Sequence, residues 1–177
     1  FLSTIYGKVS AQELFYRQGL QWSTFEYRNS AAQILSDLQP VTRNTMAIGY
    51  RQLLFEKRIY LFGSVNYDGY GAAGNVGTQN TLVRWNRDYL GIEAGIDLTL
   101  IHLKNTSFYL KASGSAATLL SGSQLLNNEL FDLKNQEDFE EKLIHWSGGF
   151  GISYRITSKL SAFSEYRQGR SNSLINP

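Results

Sequence analysis

The chain has 177 residues, no cysteine, two prolines and a net charge of +2. That length suits a single domain over 1–177, and the missing thiols exclude disulfides, thiol catalysis and thiolate metal sites. So small a charge gives no reason to expect nucleic acid, and no stretch approaches the roughly 20 apolar residues of a membrane-spanning helix.

In chain order, the first segment is Phe1 to Val9, a weak alternation with Ile5, Gly7 and Val9 on one face and Tyr6 and Lys8 on the other. It opens without a charged-then-apolar leader, which reads as a processed or trimmed product. The second runs from Leu14 to Tyr27, with Leu14, Tyr16, Leu20 and Trp22 on one side. The third, Arg43 to Leu54, groups Met46, Ile48, Tyr50 and Leu54; the fourth, Ile59 to Tyr70, groups Ile59, Leu61, Gly63, Val65 and Tyr67. The fifth begins near Leu82 and contains "YLGIEAGIDLTLI" (89–101), where Leu90, Ile92, Ala94, Ile96, Leu98 and Leu100 alternate with Tyr89, Gly91, Glu93, Gly95, Asp97 and Thr99. The sixth, Phe108 to Leu120, carries Phe108, Leu110, Ala112 and Ala116 on one side. The seventh, Leu143 to Ile156, carries Ile144, Trp146, Phe150, Ile152 and Tyr154, and the eighth, Lys159 to Gly169, carries Leu160, Ala162 and Tyr166. A period of two is the mark of β-strands with one apolar and one polar face. The 11 Tyr, 10 Phe and 16 Gly point the same way.

Short connections at 10–13, 55–58, 103–107 and 156–159 alternate with long ones at 29–42, 71–81 and 121–141. Tight turns at one rim and long loops at the other predict an up-and-down antiparallel β-barrel of about eight strands, all-β in class. Two long loops are expected to carry a helical turn, at 30–38 and at 125–143, the latter with acids at 129, 132, 137, 138, 140 and 141. The run Glu137 to Glu141 lacks calcium-loop spacing and reads as a solvated helix face. "GYGAAGNVG" (69–77) reads as a flexible loop, since no helix follows it to make a phosphate cradle.

Which face touches the interior decides between a soluble lipocalin-like barrel and a transmembrane one. The polar faces carry Arg17, Gln21, Arg51, Asn66, Asp68, Glu93, Asp97, Lys111, His145, Arg155, Glu165 and Arg167. Three features favour the membrane. The apolar stripe from Leu90 to Leu100 matches the 9–11 residues of a tilted spanning strand. Trp22, Tyr50, Tyr67, Phe108, Trp146, Tyr154 and Tyr166 fall towards stripe ends, where an interfacial girdle belongs. The polar face is rich in Gly and Ser and poor in the Lys and Glu that coat soluble sheets. The expectation is a transmembrane β-barrel in the outer membrane of a Gram-negative bacterium. Inside it, Arg51, Lys111, Arg155 and Arg167 would pair with Glu93, Asp97 and Glu165, because buried charges persist only when paired. If Phe1 to Val9 is a strand, both termini lie on the long-loop side; otherwise a further strand after Pro177 is expected.

The stretch "EYRQGRSNSLINP" (165–177) places Tyr166, Ser171, Asn172, Leu174, Asn176 and Pro177 in the approximate pattern Tyr-x-His-x-Ser-Asn followed by Asn-Pro. In this it resembles the lipid A 3-O-deacylase family of outer-membrane barrels, and with "GGFGISYRITSKLSAFSEYR" the resemblance extends back to Gly148. The resemblance implies a Ser nucleophile activated by a His, the His being oriented by a carboxylate on the next strand, with Ser171 as the nucleophile. Gly169 stands at the His position and cannot accept a proton. His145 and Ser147 share a face by alternation and read as structural lumen residues; His102 sits beside a tight turn. Arg28, Arg43, Arg84, Arg87, Lys142 and Arg170 cluster near the long-loop ends, where lipopolysaccharide phosphates lie and guanidinium pairs well with phosphate. No metal or cofactor set stands out. Three functions follow: a non-enzymatic structural or accessory subunit of a larger outer-membrane assembly, a lipid A deacylase-like esterase with a displaced base, or a small-solute channel. Membrane lipid and lipopolysaccharide are the expected contacts.

Overall fold

Eight antiparallel strands make up the computed structural model, which describes residues 12–24, 38–55, 58–76, 81–126, 129–132, 142–158 and 160–173. They are β1 (Gln12–Ser23), β2 (Gln39–Phe55), β3 (Ile59–Val76), β4 (Thr81–Leu103), β5 (Thr106–Leu126), β6 (Glu129–Asp132), β7 (Lys142–Arg155) and β8 (Ser161–Ser173). Hydrogen bonds link them in the order β1-β2-β3-β4-β5-β7-β8, with the short β6 folded back on the end of β5. The chain is all-β, an up-and-down sheet curled into a partial barrel.

The apolar stripes face outward. Leu14 is 84% exposed and Ile92 67%, while Glu93 and Asp97, on the opposite face of the same strand, are 5% and 1% exposed. This settles the phase left open by the alternation, for Leu20, Ile48, Leu61, Phe150 and Tyr166 are outward and exposed in the same way. Trp22, Trp146 and Tyr154 stand out on the same surface. Tyr67 is only partly exposed.

Several expectations are corrected. The segment 69–77 is not a loop through most of its length: β3 continues to Val76, paired residue for residue with β4 from Gly69↔Asp88 to Val76↔Thr81. Glycines weaken a strand by themselves, but here they admit close neighbours. Gly71 lies against Val41 and the Trp85 carbonyl, leaving little space for a Cβ. The helical turn expected from 125 onward is replaced at its start by β5 and by β6, whose Leu130 pairs with Leu125. Residues 133–141, with Glu137 to Glu141, lie outside the described residues, as do Phe1 to Val9, residues 30–37 and Arg28. Among the described residues, seven long strands form an open path with β1 and β8 at its edges, and the short β6 lies off that path, paired with β5. The β4–β5 turn is Lys104 and Asn105 alone, with Lys104 at a φ of 47°.

Candidate functional site

The inward faces meet in a buried ionic network. Glu93 on β4 is its centre, because four strands aim donors at one carboxylate. Arg17 of β1 donates to Oε2 at 2.7 Å, Ser113 of β5 to Oε1 at 2.6 Å, and Ser64 of β3 to Oε2 at 3.4 Å. Arg167 of β8 ion-pairs with Oε1, and donates as well to Ser147 at 2.6 Å and Ser113 at 2.8 Å. A second group adjoins it. Lys111 Nζ lies 2.7 Å from Glu165 and 3.6 Å from Asp97; Arg51 reaches Asp97 at 3.2 Å and Glu13 at 2.6 Å; Tyr109 donates to Glu165 at 2.8 Å. Four acids, Glu13, Glu93, Asp97 and Glu165, thus face four cations, Arg17, Arg51, Lys111 and Arg167. Charges taken out of water persist when so matched and hydrogen-bonded.

Aromatic rings pack into the same space. Phe15 meets Phe62 edge-on with centroids 6.2 Å apart, and meets Phe163 of β8 at 6.5 Å. Lys111 Nζ sits 4.3 Å from the centre of the Phe62 ring, a cation over a negative π-face. Gly49 and Gly95 make room, since a Cβ on either would run into the ring of Phe15 or Phe62. Towards the long-loop end the filling turns apolar: Trp85, Tyr89, Leu119 and Leu143 are buried, and Tyr70 packs edge-on to Tyr89 at 5.5 Å.

Six of the seven expected network residues come together: Arg51, Glu93, Asp97, Lys111, Glu165 and Arg167. Arg155 does not. It is exposed as the last residue of β7, and its backbone N–H donates to Asn105 at 2.7 Å beside the tight turn. An inward phase at a strand's last residue leaves the side chain beyond the enclosed length. Two members were missed. The polar composition of 10–13 places Glu13 in a turn, yet β1 starts at Gln12; alternation puts Arg17 on the polar face, but its partners lie 76 and 148 residues away.

The expected phosphate-facing rim is divided. Arg84 and Arg170 are exposed. Arg43 instead ion-pairs with Asp88 at 2.5 Å, crossing Gly69 on β3, and Ser121 donates to the other Asp88 oxygen at 3.1 Å. Arg87 lies opposite Tyr70 on the inward face and is only partly exposed.

Ser171 has a histidine after all. The β7–β8 register sets His145 opposite Ser171, and His145 Nδ1 lies 2.7 Å from Ser171 Oγ. Gly169 is what admits the ring: a Cβ there would meet His145 Nε2 and Cε1. Both members of the pair face the lumen, and His145 is not bonded to its alternation partner Ser147, which Arg167 and Ser113 engage instead. His102, exposed near the turn, bonds Ser107 at 2.7 Å. Among the described residues no group of three or more acidic or imidazole side chains could hold a metal ion.

On the outer surface, Ala94, Ala112, Gly114 and Gly148 form the floor of a shallow groove of ≈ 480 Å³ beside Trp146. No protein-family model, curated protein or solved structure matches this chain, so no family match supports the likeness of its C-terminal hairpin to the lipid A deacylases.

Proposed function

We propose that this protein is a non-enzymatic integral β-barrel of a Gram-negative outer membrane, a structural or accessory subunit of a larger assembly. The observation that carries the membrane reading is the inversion of the sheet: an exposed apolar exterior around buried, mutually paired charges. In water such an exterior is unfavourable in proportion to its area; in hydrocarbon it is the compatible surface. The matched network and the rings within it occupy the space a solute would cross, which speaks against the channel. The groove at Ala94, Ala112, Gly114 and Gly148 supports the subunit role, because small residues let a neighbouring backbone approach closely in lipid. Arg84 and Arg170 remain suited to lipopolysaccharide phosphates at the rim. Purification in mild detergent tests both parts. The protein should require detergent and should co-purify with a stoichiometric partner; a monomer in the aqueous fraction overturns the membrane reading, and a lone barrel at equal yield overturns the subunit role.

One contact favours a second reading, a lipid A deacylase-like esterase. His145 stands within hydrogen-bond reach of Ser171 and fits the displaced base that Gly169 cannot provide. In that chemistry Ser171 Oγ bonds the ester carbonyl carbon, its proton passes to His145, and the alcohol departs with that proton. Water then releases the fatty acid. Mass spectrometry of lipid A from cells with the protein, without it, and with Ser171→Ala decides: unchanged acylation across the three removes the esterase.

A further inference from the structure

The outward apolar belt ends differently at the two rims. At the long-loop end β4 runs on past Leu90 through Asp88, Asn86 and Arg84 to Thr81, so polar sheet stands beyond the belt. At the tight-turn end the belt runs straight into the turns. Leu103 is exposed and directly precedes Lys104; Ile156 is exposed and directly follows Arg155. Phe55, also exposed, opens the turn that Arg58 closes by donating its backbone N–H to the Phe55 carbonyl at 3.0 Å. Backbone bonds tie these turns to their neighbours. The Thr99 N–H donates to the Arg58 carbonyl at 2.7 Å, and the Arg155 N–H to the Asn105 carbonyl at 2.7 Å. Arg58 is thereby fixed beside β4, and Arg155 beside the Lys104–Asn105 turn. All three cations are exposed, and none has an ion-pair partner among the described residues. Glu13, at the same end of β1, is held by Arg51 at 2.6 Å. By sequence these connections add Lys57 and Lys159 against Glu56.

We infer that the tight-turn rim binds anionic phospholipid, with Arg58, Lys104 and Arg155 on the phosphodiester headgroups of the leaflet it meets. The inference rests on the membrane reading and goes beyond it. No polar spacer separates Leu103 from Lys104, so the ammonium on its flexible stem lies where hydrocarbon gives way to headgroups. The Arg155 guanidinium beside Ile156 lies at the same boundary, and a guanidinium pairs with two phosphate oxygens at once. A water-borne acidic protein would meet the cations but has no use for the aliphatic side chains between them. Leu103, Ile156 and Leu160 are exposed beside those cations, and a leaflet takes both kinds of side chain. Net charge selects among lipids. The phosphate of a zwitterionic lipid already has its own ammonium; that of a net-negative lipid does not. Each cation at an anionic leaflet contributes about a fivefold preference, felt within a Debye length.

Photo-crosslinking in vesicles tests this. The protein is folded into phosphatidylcholine vesicles that carry, at equal mole fraction, a headgroup-photoactivatable phosphatidylglycerol or phosphatidylcholine, and cross-links are mapped by peptide mass spectrometry. Labelling of Leu103–Thr106 and Tyr154–Ile156 should be at least about fivefold stronger from phosphatidylglycerol, and the preference should fade as salt rises. Arg58→Gln, Lys104→Asn and Arg155→Gln together should abolish it. The three side chains are exposed, and asparagine tolerates the left-handed φ at 104, so the fold is kept. Equal labelling from both lipids overturns the inference, as does a preference that survives the triple variant. Labelling competed away by inorganic phosphate or glycerol phosphate in the buffer marks a free-anion site and overturns it too. Should the variant fold poorly, the unsubstituted protein still decides: a preference unchanged at high salt overturns the inference. Protein that needs no detergent fails the membrane reading; equal labelling of protein folded in vesicles fails this inference alone.

Discussion

Replacing Glu93 by glutamine should be among the most damaging single changes. The side chain keeps its volume and one acceptor oxygen, so no cavity forms and part of the bonding to Ser113 and Ser64 survives. What is lost is the negative charge between Arg17 and Arg167. Among the described residues, Arg17 is left with Glu165 at 3.8 Å, and Arg167 with hydroxyls. Removing one partner of a buried ion pair costs about 3–5 kcal/mol, and the retained oxygen argues for the lower end, about 3 kcal/mol. With a urea slope of about 2 kcal/mol per molar, the midpoint falls by about 1.5 M. The assay is tryptophan fluorescence during urea unfolding in micelles, for which the buried Trp85 is a native reporter. Adding Arg167→Leu to Glu93→Leu should recover about 0.5–3 kcal/mol relative to the sum of the single changes. A midpoint shift below about 0.3 M for Glu93→Gln would mean that water reaches the carboxylate, and the enclosed network would be refuted.

Ile92→Lys puts a charge on the outer face at a residue 67% exposed; about 2–4 kcal/mol is lost if hydrocarbon covers it, read as reduced folding yield into lipid vesicles, whereas an unchanged yield places that face in water. Gly95→Ala drives a methyl group against Phe62 and the Ala112 carbonyl, and the overpacked lumen should lose about 1–3 kcal/mol by the same urea assay. Lys104→Gly relieves a left-handed residue in the two-residue turn and should stabilise by up to about 1 kcal/mol; a lower urea midpoint would count against that conformation.

Much of the fold is legible in the residues because alternation is a local property. Leu90 to Leu100 announces a strand, and its two faces, without reference to any other segment. The charges on one face are equally visible, and six of them do converge. The Gly-rich stretch at 69–76 was misread for a physical reason: its small residues have low intrinsic strand preference, and pairing with β4 overrides it. Glu13 was lost to a boundary, since turn and strand ends share polar composition. Arg155 was gained wrongly, since phase says nothing about how far along a strand the enclosure extends.

From sequence alone come the class of the fold, the members of each face and the alternation of short and long connections, all consequences of a two-residue repeat along one chain. Only the tertiary structure decides that the apolar face is the outer one, that Arg17 meets Glu93, that His145 lies over Gly169 to reach Ser171, and that β1 and β8 stay apart. Those depend on register and curl, which bring together residues 24 to 148 positions apart, and nothing in a local pattern encodes which distant strands will face each other or how tightly the sheet will bend.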